Sequence, residues 1–170
     1  GDWFNRIDWT GQTNYFATGL PPLKDNAGNL AQMRPRLVNP LLLPEARHID
    51  FVRKGFQDLL RIRASSKLFH LETALQVLER LRLANLGPKA INTLLVGHLN
   101  GRGLIEARFD EVLYFLNADE KPVQITLPAE VGKRYRLHPV HESADAADAR
   151  PRVEAKFDSL SGTFSIPPRT

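Results

Sequence analysis

The residues best suited to chemistry gather at the front of the chain. Asp2 and Asp8 flank Arg6, among the aromatic side chains of Trp3, Phe4 and Trp9. A carboxylate accepts two hydroxyl hydrogen bonds, which matches the vicinal hydroxyls of a sugar ring. The flat faces of Trp3, Phe4 and Trp9 suit stacking on pyranose rings. Each residue also has a plainer use: Asp2 can cap a helix or pair with Arg6, and the aromatics can hold a loop together as core. Two carboxylates also invite comparison with retaining glycoside hydrolysis, which needs a nucleophile and an acid/base about 5 Å apart. Spacing along a chain does not set that distance.

The histidines point to no metal. His138 and His141 straddle Pro139-Val140, and on a strand an i, i+3 pair faces opposite sides, because strand periodicity is two. His48, His70 and His98 are isolated in sequence. No glycine-rich phosphate loop, zinc pattern or Ser-His-Asp arrangement stands out. No Asp/Asn cluster specifies calcium, and the absence of cysteine removes disulfides and thiolate ligands.

The elements that must position these residues fall into two styles. Residues 1–44 are irregular and rich in proline and glycine, and a loop of about 40 residues inside a compact domain is usually functional. Residues 45–64 read as an amphipathic helix: Pro44 and Glu45 suit its start, and Ile49, Val52, Phe56, Leu59 and Leu60 form one stripe. That stripe must lie against another layer. Residues 75–83 fit helix by propensity and strand by alternation. Beyond Gly87-Pro88, strands are expected at 93–99, 112–116, 123–127, 135–139 and 163–166, separated by Asn100-Gly101, Asn117-Ala118-Asp119 and Ser161-Gly162. Short strands at this spacing predict an antiparallel β-sandwich. Residues 143–149 read as a surface loop.

Composition narrows the function classes. The net charge of +4 comes from 23 basic residues spread among 19 acidic ones. Without a basic stripe, nucleic-acid binding is not expected. No apolar run approaches the roughly 20 residues of a membrane span. The chain opens at Gly1 without methionine and reads as cut from something longer.

Gly1-Asp2-Trp3-Phe4-Asn5-Arg6 resembles a signature of pullulanases and plant limit dextrinases, starch-debranching enzymes of the alpha-amylase superfamily. The likeness continues in order through Gly19-Leu20-Pro21-Pro22, Arg34-Pro35-Arg36-Leu37, residues 62–69, Leu137-His138-Pro139-Val140 and residues 161–170. It therefore covers nearly the whole chain.

The resemblance implies a mainly β fold: a C-terminal antiparallel β-sandwich, preceded by a long irregular loop and one amphipathic helix left from the end of a (β/α)8 barrel. Residues 1–66 would be the tail of the catalytic barrel and residues 67–170 the sandwich, lacking its last strand. It also tips the ambiguous segment around residues 79–86 toward strand. The implied function is that of the C-terminal region of an enzyme hydrolysing α-1,6 branch points in pullulan, starch or glycogen-derived dextrins.

The family's catalytic carboxylates come from earlier barrel strands, so no catalytic residue is expected here, and Asp2 and Asp8 are not the catalytic pair. The substrate-binding set is Asp2, Trp3, Asn5 and Arg6, with Asp2 lining a glucan subsite and Asn5 and Arg6 bracing the loop. Expected partners are the catalytic barrel of the same parent chain and the α-glucan. No cofactor or metal is expected in this segment, although calcium belongs to some parents in the superfamily. A bacterial parent is expected to be secreted or at the cell surface. The alternative is a stand-alone α-glucan-binding β-sandwich module, disfavoured because residues 67–170 contain no tryptophan.

Overall fold

The computed structural model describes residues 8–12 and 23–170. Two compact units, Gly1–Phe56 and Gln57–Thr170, divide the chain, and the division falls inside its longest helix.

In the first unit, the stretch expected to be irregular is helical over much of what is described beyond residue 22. Helix α1 spans Leu23–Asn26 and α2 spans Leu30–Leu37, joined by a 3-10 turn over Ala27–Asn29. Pro35 lies inside α2 and contributes no N–H, and the helix ends two residues later. Asn39 then caps a 3-10 turn at Pro40–Leu42, its side chain accepting the Leu41 N–H at 3.0 Å. Helix α3, Ala46–Ala64, matches the expected span. Asp50 anchors its exposed side, pairing with Arg53 at 2.6 Å and Lys54 at 2.7 Å. Among the described residues its apolar stripe is uncovered: Val52, Phe56, Leu59 and Leu60 are all about half exposed or more.

The second unit begins with the last turns of α3. Asp58 is buried there, and its carboxylate accepts the Ala147 N–H at 2.8 Å and Arg61 at 2.9 Å. Ser66 is also buried; its hydroxyl donates to the Ala107 carbonyl and accepts the Leu68 N–H. Helix α4 follows at Ala74–Arg80 and runs straight into strand β1, Leu81–Leu83. Of the segment around residues 79–86 expected as strand, Leu81–Leu83 is strand, while residues 79–80 are the end of α4. Thr73 caps α4 by accepting the Gln76 N–H at 3.2 Å, and Gln76 in return accepts the Glu72 N–H at 2.8 Å. This near-reciprocal pair is a capping box displaced by one residue, and it favours helix over strand locally.

Strands β2 (Leu94–Asn100), β3 (Glu111–Asn117) and β4 (Val123–Thr126) follow. Helices α5 (Pro139–Glu142) and α6 (Arg150–Glu154) precede strands β5 (Lys156–Asp158) and β6 (Thr163–Ile166). The strands form two antiparallel three-stranded sheets, ordered β1-β2-β3 and β4-β6-β5. The sandwich expected from the sequence is thus present, accompanied by more helix than expected.

The facing sides of the two sheets make the main core. Leu94 and Val96 of β2 meet Phe164 and Ile166 of β6 and Leu127, with Leu113, Phe115, Val123, Ile125 and Phe157 packed around them. Phe164 stacks on Phe157 with ring centroids 4.3 Å apart and lies 4.8 Å from Phe115. A second cluster of Leu68, Leu99 and Ala107 covers part of the other face of the first sheet. On that face Gly97 pairs with Tyr114, whose ring lies so close over the strand that a Cβ at Gly97 would collide with it.

The strand expected at 135–139 does not form. Pro139 occupies the first turn of α5, and the His138 ring accepts the Val140 N–H at 3.2 Å. Proline at that position suits a helix start, because the missing N–H would have no partner there. His138 and His141 therefore lie on one helical turn, not on alternate faces of a strand. Residues 143–149 are turns and loop, with Ala147 fixed by the buried Asp58.

Candidate functional site

Asp2, Trp3, Asn5 and Arg6 lie outside the described residues. The adjoining turn at residues 8–12 is described. The Asp8 carboxylate accepts the Thr10 N–H at 2.9 Å, the Thr10 hydroxyl at 2.7 Å and the Gln12 N–H at 3.0 Å. Gly11 takes a left-handed φ of 69° to close the turn. Asp8 is thus a turn-former, and it holds Trp9 at the surface with 92% of its area exposed. An aromatic face presented this way is available for stacking.

The β unit contains a cluster that resembles an acid/base site in its residue types. Glu111 opens β3, and Glu130 closes the 3-10 turn Pro128–Glu130. Lys133 lies between them, 2.6 Å from Glu111 Oε2 and 2.9 Å from Glu130 Oε2. The Tyr135 hydroxyl donates to the same two oxygens, at 3.2 Å and 2.5 Å. His98 Nε2 adds a contact to Glu111 at 3.3 Å, and Arg102 one at 3.4 Å.

Electrostatics decide what this cluster can do. The Lys133 hydrogen bond holds Glu111 below its ordinary carboxylate range, although burial opposes the charge. Burial pulls Lys133 downward, but the hydrogen bonds it donates to Glu111 and Glu130 outweigh it and leave the ammonium raised. Burial and then the Glu130 carboxylate push the Tyr135 phenol up. A glycosidase acid must be protonated near neutral pH. Glu111 is held ionised instead, and Lys133 sits between the two carboxylates and bonds both. The cluster is a clasp between β3 and the segment after β4.

A serine and a histidine also meet. Ser65 Oγ lies 2.9 Å from His138 Nε2. His138 Nδ1 accepts the Val140 N–H, so the ring proton sits on Nε2 and is donated to Ser65, whose hydroxyl donates onward to the Ile62 carbonyl at 2.6 Å. A nucleophilic serine needs the opposite direction, with the imidazole accepting its proton. Burial, then the neighbouring His141, lowers the His138 pKa and keeps the ring neutral. This relay ties the end of α3 to α5.

A further concavity is a cleft of about 300 Å³ lined by Lys67, His70, Leu71, Gln76, Arg80 and Ile105, among others. No sequence pattern marked it, because its walls come from the turn after α3, from α4 and from the β2–β3 loop. Among the described residues no group of three or more His, Cys, Asp or Glu side chains could hold a metal ion.

Comparison with known proteins gives a consistent result. The family described as "Alpha-1,6-glucosidases, pullulanase-type, C-terminal" matches residues 11–170. Pullulanase 1, chloroplastic, from Arabidopsis thaliana is 36% identical over 180 aligned residues, covering all of this chain and 18% of the relative. A pullulanase from Klebsiella pneumoniae is 26% identical, covering 98% of this chain and 15% of the relative. In structure, PulA from Klebsiella oxytoca superposes over the whole chain with a TM-score of 0.82 at 23% identity, using 16% of its own length. A maltotriose complex of PulA from Klebsiella pneumoniae gives a TM-score of 0.78 at 23% identity, again over the whole chain and 18% of its own length. The chain spans less than a fifth of the length of these relatives.

Proposed function

Because this chain belongs to the C-terminal family of pullulanase-type alpha-1,6-glucosidases, we propose that it braces the catalytic region of a debranching enzyme and adds substrate contacts without supplying the catalytic carboxylates. Residues 1–66 form the end of the catalytic barrel in this reading, and residues 67–170 form the C-terminal sandwich. The observation that carries it is the uncovered stripe of α3. Val52, Phe56, Leu59 and Leu60 form an apolar face on a helix whose last turns are tied into the β unit by Asp58 and Ser65. Such a face is stable in water only when another layer covers it. The barrel of the parent chain is that layer.

Asp2 and Trp3 contact the α-glucan in this reading, and Asn5 and Arg6 brace the loop that carries them. The substrate is an α-1,6-branched glucan such as pullulan, and no cofactor is assigned to the segment. The test is pullulan hydrolysis by the isolated chain, by the parent enzyme and by the parent carrying Asp2→Ala. The isolated chain gives no turnover above the buffer blank, and Asp2→Ala raises KM with a smaller effect on kcat. Turnover by the isolated chain, or a collapse of kcat at unchanged KM, overturns the assignment.

A further inference from the structure

We propose that His138 is an acid-sensitive latch: at neutral pH it holds α5 to the C-terminal end of α3, and protonation of its ring opens that joint. The latch lies wholly within the β unit and stands independently of the debranching reading.

The joint uses both ring nitrogens, in opposite senses. Nδ1 accepts the Val140 N–H at 3.2 Å and so caps the first turn of α5. Nε2 donates to Ser65 Oγ at 2.9 Å, and Ser65 donates onward to the Ile62 carbonyl at 2.6 Å, in the last turn of α3. Only the neutral imidazole with its proton on Nε2 fits this pattern. An imidazolium has two N–H donors and no acceptor, so its Nδ1–H would face the Val140 N–H. Turning the ring over gives no relief, because the site still presents one donor and one acceptor. Protonation therefore removes the cap of α5.

The surroundings do nothing to hold the charge. The Phe69 and Phe109 rings pack against His138, with centroids 6.2 Å and 5.4 Å away. On α5 itself the neighbouring titratable groups are His141 and the exposed Glu142. From α3, Asp58 is paired with Arg61 at 2.9 Å, and Arg63 donates to the Phe69 carbonyl at 3.2 Å. Asp148, in the loop after α5, is engaged by Arg150 at 2.6 Å. Asp58 and Asp148 act on His141, and among the described residues no carboxylate bonds His138. Burial, then His141, holds the His138 pKa below its ordinary 6.5, in agreement with the hydrogen-bond pattern. The sign follows. A folded pKa below the unfolded one gives a contribution that is complete above the unfolded value and is lost as pH falls through the folded value. A second tie, from the Asp58 carboxylate to the Ala147 N–H, involves neither His138 nor Ser65 and serves as an internal control.

The test is a long-range ¹H–¹⁵N NMR titration of the 170-residue chain from about pH 7.5 to about pH 5, with amide hydrogen exchange at Val140 and Ala147. The expected result is an Nε2–H tautomer for His138 at neutral pH and a titration midpoint below the ordinary histidine value. As His138 titrates, the protection of the Val140 amide falls at least about threefold while that of Ala147 holds. His138→Asn keeps an acceptor suited to the cap and removes the titration. Its melting temperature should therefore fall less between pH 7 and pH 5 than that of the unmodified chain. An Nδ1–H tautomer, a midpoint at or above the ordinary value, or Val140 protection that ignores the His138 titration overturns the proposal. So does an equal acid loss in a folded His138→Asn. Should that variant fail to fold at pH 7, the titration of the unmodified chain decides alone.

Discussion

Replacing Lys133 by methionine is the sharpest test of the Glu111–Lys133–Glu130 clasp. The change keeps the side chain's length and apolar stem while deleting the ammonium that both carboxylates share at 2.6 Å and 2.9 Å. Removing one partner of a fully buried ion pair costs about 3–5 kcal/mol. Lys133 is 35% exposed on its side chain, against 17% for Glu111 and 7% for Glu130, so water screens part of the loss. About 2 kcal/mol is expected at pH 7, which for a chain of this size lowers the melting midpoint by roughly 4–8 °C. The pH dependence carries a sign. Glu111 has a lowered pKa in the fold, so its contribution is present above its unfolded pKa and is lost as pH falls through the folded value. Lys133 is raised, so its contribution is present below its unfolded pKa and is lost as pH rises through the folded value. The deficit of Lys133→Met is therefore largest near neutrality and shrinks in acid. Urea unfolding followed by circular dichroism from about pH 3 to 8 measures it. A deficit under about 0.5 kcal/mol at pH 7, or one that grows on acidification, refutes the clasp.

Two further outcomes follow from the packing. Phe164→Ala removes the ring that stacks on Phe157 and fills the space between the sheets, and should cost about 3–5 kcal/mol by urea unfolding; a loss below about 1 kcal/mol would mean the sandwich core lies elsewhere. Asp58→Ala strands the Ala147 N–H and should cost about 1–3 kcal/mol. Amide hydrogen exchange at Ala147 should accelerate in that variant, and unchanged exchange would show that Asp58 does not hold the 143–149 loop.

The elements that were legible in the sequence are those whose side-chain period was set by burial. β2, β3, β4 and β6 fall within about one residue of the expected strands, because Leu94 and Val96, Leu113 and Phe115, and Phe164 and Ile166 alternate toward one core. β5 escaped notice because Phe157 is its one core-facing residue, and three residues carry no readable alternation. The strand expected at 135–139 failed because Tyr135 and Leu137 imitate alternation while Pro139 starts a helix. The segment at 74–83 changes type at Leu81, and no single period describes both halves. Thr73 and Gln76, three positions apart, are the local signal for the helical half, and hydrophobic alternation masks it.

The site was less legible than the fold, for a physical reason. Glu111 of β3 meets Glu130 and Lys133 of the segment after β4, and Ser65 reaches His138 over 73 positions, so neither cluster has a local signature. Once assembled, direction and charge distinguish them from catalytic groups: Lys133 keeps Glu111 ionised, and the Val140 N–H fixes the His138 proton on Nε2. Helix α3 shows the converse. Its stripe at Val52, Phe56, Leu59 and Leu60 was plain from periodicity, and such a stripe requires a layer over it. The described residues leave that stripe exposed, yet Asp58, next to Leu59 in the chain, is 7% exposed and satisfied by the β unit. A helix with its polar anchor buried and its apolar face bare has its two faces assigned to different neighbours. The polar anchor serves the β unit, and under the proposed function the apolar face meets the catalytic region of the parent chain.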